Sequence, residues 1–173
     1  MITGKPLLSK EQIQSKVLEL ADKISRDYLG KELLAVGILK GSFMFFADLV
    51  RAIRVPITVD FVIASSYLKT TSTGEIKVFY DIREEISNTH VLLIDDIVDT
   101  GVSLNFIREN VLSKGPASLR ICAFLDKKER RVADVPIDYV GYEIPDKFVV
   151  GYGLDYDNKY RNLPYISTFK KET

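Results

Sequence analysis

Val91-Leu92-Leu93-Ile94-Asp95-Asp96-Ile97-Val98-Asp99-Thr100-Gly101 is the stretch that decides the fold. Its four leading apolar residues read as a strand buried on both faces, as in a parallel sheet. Two acids follow, a third opens the turn Asp99-Thr100-Gly101, and Val102 to Leu112 continues as a helix. In open α/β sheets ligands bind beyond the carboxyl ends of strands, so acids and turn stand where a site belongs. Gly101 lets the backbone approach a ligand closely. The N–H groups from Thr100 to Ser103, with the Thr100 and Ser103 hydroxyls, form an anion cradle at a helix N-terminus.

Charge divides this site into parts. A phosphate in the cradle should not also face three carboxylates, because each contact repels. Asp95, Asp96 and Asp99 must therefore meet sugar hydroxyls, a metal or a protonated nitrogen. A ribose 5-phosphate satisfies both demands, with phosphate in the turn and the diol on Asp95 and Asp96. Helix capping by Asp99 or Thr100 is the competing account, but it explains one acid of the three.

Working outward, Ser9-Lys10-Glu11-Gln12 has the spacing of a capping box. Ile13, Val17, Leu20, Ala21, Ile24 and Tyr28 then repeat at helical spacing until Gly30. Leu33 to Leu39 reads as a buried strand, Lys40-Gly41-Ser42 breaks it, and Phe43 to Ile53 reads as a helix. Thr58 to Ala64 is a strand rich in β-branched residues. Ser65 to Lys77 is polar and predicts a mobile loop of the kind that serves as a lid, with Val78-Phe79-Tyr80 closing a hairpin. Leu119 to Leu125 is a further strand, and Tyr139 to Glu143 and Phe148 to Tyr152 are short ones. Strands alternating with helices imply parallel βαβ units. The expectation is one α/β domain over residues 1–173, with a core over about 9–127 and a subregion over about 128–173.

The 173 residues suit a single domain, with 46% apolar and 28% charged residues. Lys plus Arg and Asp plus Glu each number 24, which argues against a nucleic-acid partner. The only cysteine, Cys122, excludes an intrachain disulfide and reads as a buried filler in a reducing, cytoplasmic setting. The only histidine, His90, has no Cys or His near it, so zinc is not expected. No apolar stretch approaches the ~20 residues that span a membrane, so no membrane partner is expected. A P-loop and a G-x-S-x-G elbow are absent from the sequence, and Gly151-Tyr152-Gly153 is only a fragment of a dinucleotide fingerprint.

The run from Val91 to Leu104 resembles the phosphoribosyl-pyrophosphate motif: four apolar residues, two acids, two apolar residues, then Asp-Thr-Gly. Three further stretches narrow the resemblance to the 6-oxopurine (hypoxanthine-guanine) branch of the type I phosphoribosyltransferases. They are Leu39-Lys40-Gly41-Ser42, Ser66-Tyr67, and Asp146 to Tyr156, with Arg161 beyond. The resemblance implies a mostly parallel central sheet flanked by helices. It also implies a small base-binding hood built from residues 128–173 and the N-terminal segment. The implied reaction moves the 5-phosphoribosyl group from phosphoribosyl pyrophosphate to N9 of hypoxanthine or guanine, with Mg2+ as cofactor, in a homodimer or homotetramer.

The same resemblance implies roles. Asp99 matches the general base that takes the purine N7 proton. Asp95 and Asp96 match ribose and magnesium ligands, and Asp99, Thr100, Gly101, Val102 and Ser103 complete the ribose-phosphate site. Lys40 and Gly41 match the pyrophosphate loop, where a cis peptide is common, and Arg161 matches a pyrophosphate contact. Lys127 matches the donor to the purine 6-oxo group. Phe148 matches the stacking ring, which composition alone would place in the core. Val149 reads the ring edge, and Asp155 matches a second magnesium ligand beside the base. Ser66 and Tyr67 match a closing loop. Arg131 is a second candidate to support the pyrophosphate loop, although Arg130-Arg131 also reads as a solvated pair. Val102 stands where many relatives carry Lys, Asp95 where Glu is frequent, and Ser103 where Thr is common. A preference for xanthine, a regulator that senses phosphoribosyl pyrophosphate while binding nucleic acid, and a non-catalytic nucleotide-binding module are the alternatives. The balanced charge and complete catalytic set speak against the last two.

Overall fold

A computed structural model describes residues 1–2, 5–67 and 75–170. At its centre, Leu-Leu-Ala-Val-Gly-Ile-Leu forms β1 (Leu33–Leu39), with six of seven residues buried. β1 pairs in parallel with β2 (Ile57–Tyr67) on one side and β4 (His90–Val98) on the other. β3 (Glu75–Tyr80) joins β2 antiparallel at one edge, while β5 (Ser118–Asp126) and β6 (Tyr139–Glu143) extend the parallel sheet at the other. The strand order is β3-β2-β1-β4-β5-β6. The chain thus winds outward from β1 to β2 and returns to β4 on the opposite side of β1. Connections leaving β1 and β4 diverge at this switch point and open a crevice at the carboxyl ends of both strands.

Two helices cover one face of the sheet. α1 (Lys10–Asp27) begins with the expected capping box: the Gln12 N–H donates to Ser9 Oγ, and the Ser9 N–H to Gln12 Oε1 at 2.8 Å. It buries Ile13, Val17, Leu20, Ala21 and Ile24 against α2 (Phe43–Ala52) and the sheet. Each fully buried Leu or Ile side chain contributes about 1.5–3 kcal/mol relative to exposure. α3 (Val102–Ser113) covers the other face with Leu104, Ile107 and Val111. Cys122 is buried on β5, and burial pushes its thiol up, as fits a filler. Among the described residues, no helix is long and apolar enough to cross a membrane.

The structure departs from the sequence expectations in several places, chiefly at strand ends. The strand expected over Phe148 to Tyr152 is a strand only at Val149–Val150. β2 runs on to Tyr67 and β3 starts at Glu75, so Ser66 pairs with Ile76 and Tyr67 with Glu75 inside the expected loop. Ladder hydrogen bonds come from the backbone, so polar side chains do not end a strand that has a partner. Residues 68–74, the rest of that loop, lie outside the described residues. Similarly, β4 does not stop at Ile94, because β5 continues beside it and pairs Asp95 with Ala123 and Val98 with Asp126. Finally, β6 is part of the main sheet, so the core does not end at residue 127.

Beyond β6, β7 (Val149–Val150) pairs antiparallel with β8 (Ser167–Thr168), an element too short for any sequence signal. Bridges from Ile2 to Phe169 and from Leu8 to Ile166 tie the N-terminal segment to this small sheet.

Candidate active site

A cleft of about 340 Å³ opens at the carboxyl ends of β1 and β4. Lys40, Gly41, Asp95, Asp96, Asp99, Lys127, Phe148, Val149, Asp155 and Arg161 all line it. Those residues span 122 positions of sequence, and the switch-point topology is what gathers them. A smaller hollow of about 160 Å³ lies alongside, lined by Asp95, Asp99, Thr100, Gly101 and Ser103. Asp95 and Asp99 border both hollows. Val102 lines neither and is 45% exposed. Ser66 and Tyr67 stand at the end of β2.

The turn after β4 is shaped by Gly101, whose φ of +79° is left-handed. A side chain there would also collide with Arg131, Val135 and the Ala133 carbonyl. Gly101 is itself the N-cap of α3 and has no side chain to cap with, and the side-chain acceptor at the first turn is Thr100 Oγ1, which the Val102 N–H meets at 3.5 Å. Capping therefore does not account for Asp99. Its Oδ1 accepts from Arg130 Nε at 2.9 Å instead.

Asp95 and Asp96 are adjacent on a strand, and the Asp96 N–H donates to Asp95 Oδ1 at 3.0 Å. Burial and the adjoining Asp96 carboxylate push Asp95 well above the ordinary carboxylate range. Burial raises Asp96 too, against the lowering effects of backbone N–H donors and the Arg161 charge. Two half-buried carboxylates in contact call for a cation or for donors from a ligand.

The connection from β1 to α2 carries a cis peptide between Leu39 and Lys40. Ser42, fully buried, donates from Oγ to the Ile38 carbonyl at 2.7 Å and closes the loop on itself. A methyl group on Gly41 would land inside the Asp96 carboxylate, and one on Gly153 inside the Gly41 carbonyl. The Lys40-Gly41 loop, the end of β4 and the segment after β7 are thus in direct contact.

On the far side, Lys127 follows β5 and is 6% exposed, with Nζ 3.6 Å from Asp146 Oδ1 and 3.9 Å from Asp99 Oδ2. Phe148 is 44% exposed at the cleft, which removes the core reading. Its ring meets Tyr156 edge-on, with centroids 5.9 Å apart. Arg161 pairs with Asp155 at 2.7 Å and donates to the Gly153 carbonyl at 2.6 Å. The Asn158 N–H donates to the other Asp155 oxygen at 2.8 Å.

Arg131 has its observed contacts away from the Lys40-Gly41 loop. It packs under Gly101 and pairs with the buried Asp126, so it supports the turn after β4. Arg130 is not merely solvated, and Asp146, which had no role in the sequence reading, faces both Arg130 and Lys127. A charged side chain's partner across a loop leaves no periodic signal, so neither contact was legible.

Among the described residues, no group of three or more His, Cys, Asp or Glu gathers as a metal cage. The donor set suits a cation held by one or two carboxylates together with ligand oxygens, as Mg2+ is.

Comparison with known proteins agrees with this geometry. A family model described as the phosphoribosyl transferase domain matches residues 5–157. A hypoxanthine-guanine phosphoribosyltransferase of Staphylococcus aureus (strain Mu50) is 50% identical over 167 residues, 96% of this chain and 93% of that protein. A crystal structure of a hypoxanthine-guanine phosphoribosyltransferase from Bacillus anthracis, with a HEPES molecule in its active site, superposes with a TM-score of 0.93. It is 45% identical and covers 98% of this chain and 100% of that one. A Trypanosoma cruzi hypoxanthine phosphoribosyltransferase in a ternary substrates complex gives a TM-score of 0.92 at 39% identity, over 98% and 96% of the two chains.

Proposed function

Because the chain belongs to the phosphoribosyl transferase family, we propose that it is a purine-salvage enzyme of the hypoxanthine-guanine class. It transfers the 5-phosphoribosyl group of phosphoribosyl pyrophosphate to N9 of hypoxanthine or guanine. The N9–C1′ bond forms, the bond from C1′ to pyrophosphate oxygen breaks, and the N7 proton leaves the base.

The observation that carries this reading is the meeting of two unlike half-sites in adjoining hollows that share Asp95 and Asp99. The helix N-terminus at Gly101 to Ser103, which borders the smaller hollow, suits a 5′-phosphate. A half-exposed ring, Phe148, lines the same cleft as the buried Lys127, which suits an oxopurine. Asp95 and Asp96 lie between, where a ribose diol would be.

In this reading Asp99 Oδ2 accepts the N7 proton, which becomes more acidic as the N9–C1′ bond forms. Lys127 donates to the 6-oxo group, and an adenine amino group there would leave its ammonium badly paired. Phe148 stacks on the ring, and the Val149 backbone meets its edge. Lys40, the Gly41 backbone and Arg161 hold the leaving pyrophosphate. Asp95, Asp96 and Asp155 would hold Mg2+, which when bound neutralises the phosphoribosyl pyrophosphate and its leaving group. Thr100, Gly101 and Ser103 hold the 5′-phosphate, with Val102 contributing its backbone. Ser66 and Tyr67 belong to the segment that closes over the bound substrates.

The reading includes a hood over the base, formed by the segment after β6 with the N-terminal residues. It also includes a homodimer or homotetramer in the cytoplasm, and light scattering on the purified protein reads the assembly. The decisive experiment mixes the enzyme with phosphoribosyl pyrophosphate, Mg2+ and hypoxanthine, guanine, xanthine or adenine in turn. IMP and GMP should form with stoichiometric pyrophosphate. Turnover of adenine alone would overturn the reading, and a dominant xanthine rate would reassign the base.

A further inference from the structure

Four charges alternate in a ring, two of which, Asp99 and Lys127, line the cleft. Arg130 Nε donates to Asp99 Oδ1 at 2.9 Å, and Arg130 Nη1 lies 3.5 Å from Asp146 Oδ2. Lys127 Nζ faces the remaining oxygens, Asp146 Oδ1 at 3.6 Å and Asp99 Oδ2 at 3.9 Å. Each cation therefore meets both acids, and each acid offers one oxygen to each cation.

The backbone sets this arrangement. The Lys127 N–H donates to the Val98 carbonyl at 3.0 Å, and the Arg130 N–H closes a 3-10 turn (Lys128–Arg130) on the Lys127 carbonyl at 3.0 Å. The Val132 and Ala133 N–H groups both donate to the Thr100 carbonyl, at 2.9 and 3.0 Å. The loop after β5 is thus laced to the turn after β4 on both sides of Arg130, which places its guanidinium over Asp99.

The two Asp99 oxygens are not equivalent. Oδ1 is engaged by Arg130 in a charge-assisted hydrogen bond, while Oδ2 points toward Lys127, which lines the cleft. A carboxylate free at both oxygens turns about its last bond, and one held at Oδ1 does not. Arg130 also reaches Asp146, two residues before Phe148, so one planar group ties the turn after β4 to the loop that carries the ring. A lysine at position 130 would bring a single point charge in place of the planar fork that gives Asp99 one nitrogen and Asp146 another.

We propose that Arg130 is a positioning residue for phosphoribosyl transfer, fixing the Asp99 carboxylate with Oδ2 toward the purine. The proposal rests on the assignment of Asp99 as the proton acceptor. Arg130 and Asp99 side chains are 47% and 42% exposed, so their pairing adds little to folding stability. The effect of Arg130 belongs in turnover.

The test is a double-mutant cycle, with kcat and KM measured for the wild type, Arg130→Ala, Asp99→Asn and the combined variant, and for Arg130→Lys. Arg130→Ala should lower kcat about ten- to a hundredfold, the scale of a misoriented catalytic group, with little change in melting temperature or in KM for phosphoribosyl pyrophosphate. Arg130→Lys should recover part of that loss. In the Asp99→Asn background Arg130→Ala should cost nothing further, because its effect runs through Asp99. A wild-type kcat for Arg130→Ala, or losses that multiply in full, would overturn the proposal and leave the role of Asp99 standing. Near-normal turnover of Asp99→Asn would instead remove the assignment on which the proposal rests.

Discussion

The Asp96 carboxylate lies against the α-carbon of Gly41, with no room between them for a methyl group. The contact joins the end of β4 to the loop after β1 across the switch point of the sheet. It fixes the proposed ribose and metal ligand relative to the proposed pyrophosphate loop. Gly41→Ala should displace one or the other by about an ångström and lower kcat/KM for phosphoribosyl pyrophosphate on the order of a hundredfold. Steady-state kinetics with that substrate varied check this, with the melting temperature as control. Unchanged kinetics would show that the two elements do not act as a unit.

Lys127 is the buried cation of the purine side. Lys127→Met keeps the volume of the stem but leaves Asp99 and Asp146 without its ammonium. A hydrogen bond from a charged donor is worth about 1.5–3 kcal/mol, so KM for hypoxanthine and guanine should rise about ten- to a hundredfold. KM for phosphoribosyl pyrophosphate should move much less. Equal changes in both constants would argue against contact with the 6-oxo group.

Asp95→Asn should separate stability from function. Burial and the Asp96 carboxylate both disfavour the Asp95 charge, so the folded state holds the Asp95 proton more tightly than the unfolded chain. The folded state therefore loses stability as pH rises from about 4, the ordinary carboxylate value, toward the raised folded value. The variant should melt higher than wild type at pH 8, converge with it at acid pH, and lose turnover. Melting curves at several pH values read the first two outcomes.

Asp60 titrates in the opposite sense. It is 6% exposed on β2, and its oxygens accept from the N–H groups of Phe61 at 2.7 Å, Arg83 at 2.6 Å and Glu84 at 2.9 Å. Burial alone would raise it, but these donors hold it below the ordinary range. Its stabilisation is present above about pH 4 and is lost as pH falls through the lowered folded value. Asp60→Asn should destabilise the protein at pH 7 by about 1–3 kcal/mol, the cost of a buried donor left without its acceptor. The difference should shrink at low pH, as chemical denaturation at pH 7 and pH 3 would show.

The sheet and helices were legible because their signals are local. Unbroken apolar runs at 33–39 and 91–94 and the capping box at Ser9 stand in sequences of four to seven residues. Most of the cleft was legible through its resemblance to a known family, which places Lys40, Asp95, Lys127, Phe148 and Arg161 without a structure. Arg130 over Asp99 was not legible, because it depends on how two loops 31 residues apart are laced by backbone hydrogen bonds. Nor was the reach of β2 to Tyr67, since a strand's end is set by its partner as much as by its own residues.

The central claim is that phosphate and purine occupy the two adjoining hollows that share Asp95 and Asp99, and a crystal structure with IMP and Mg2+ tests it most directly. The account predicts the 5′-phosphate in the turn from Thr100 to Ser103, the ribose diol toward Asp95 and Asp96, and hypoxanthine on Phe148 with its 6-oxo group at Lys127. A phosphate seated at Lys40 and Gly41, with the base away from Phe148, would contradict it.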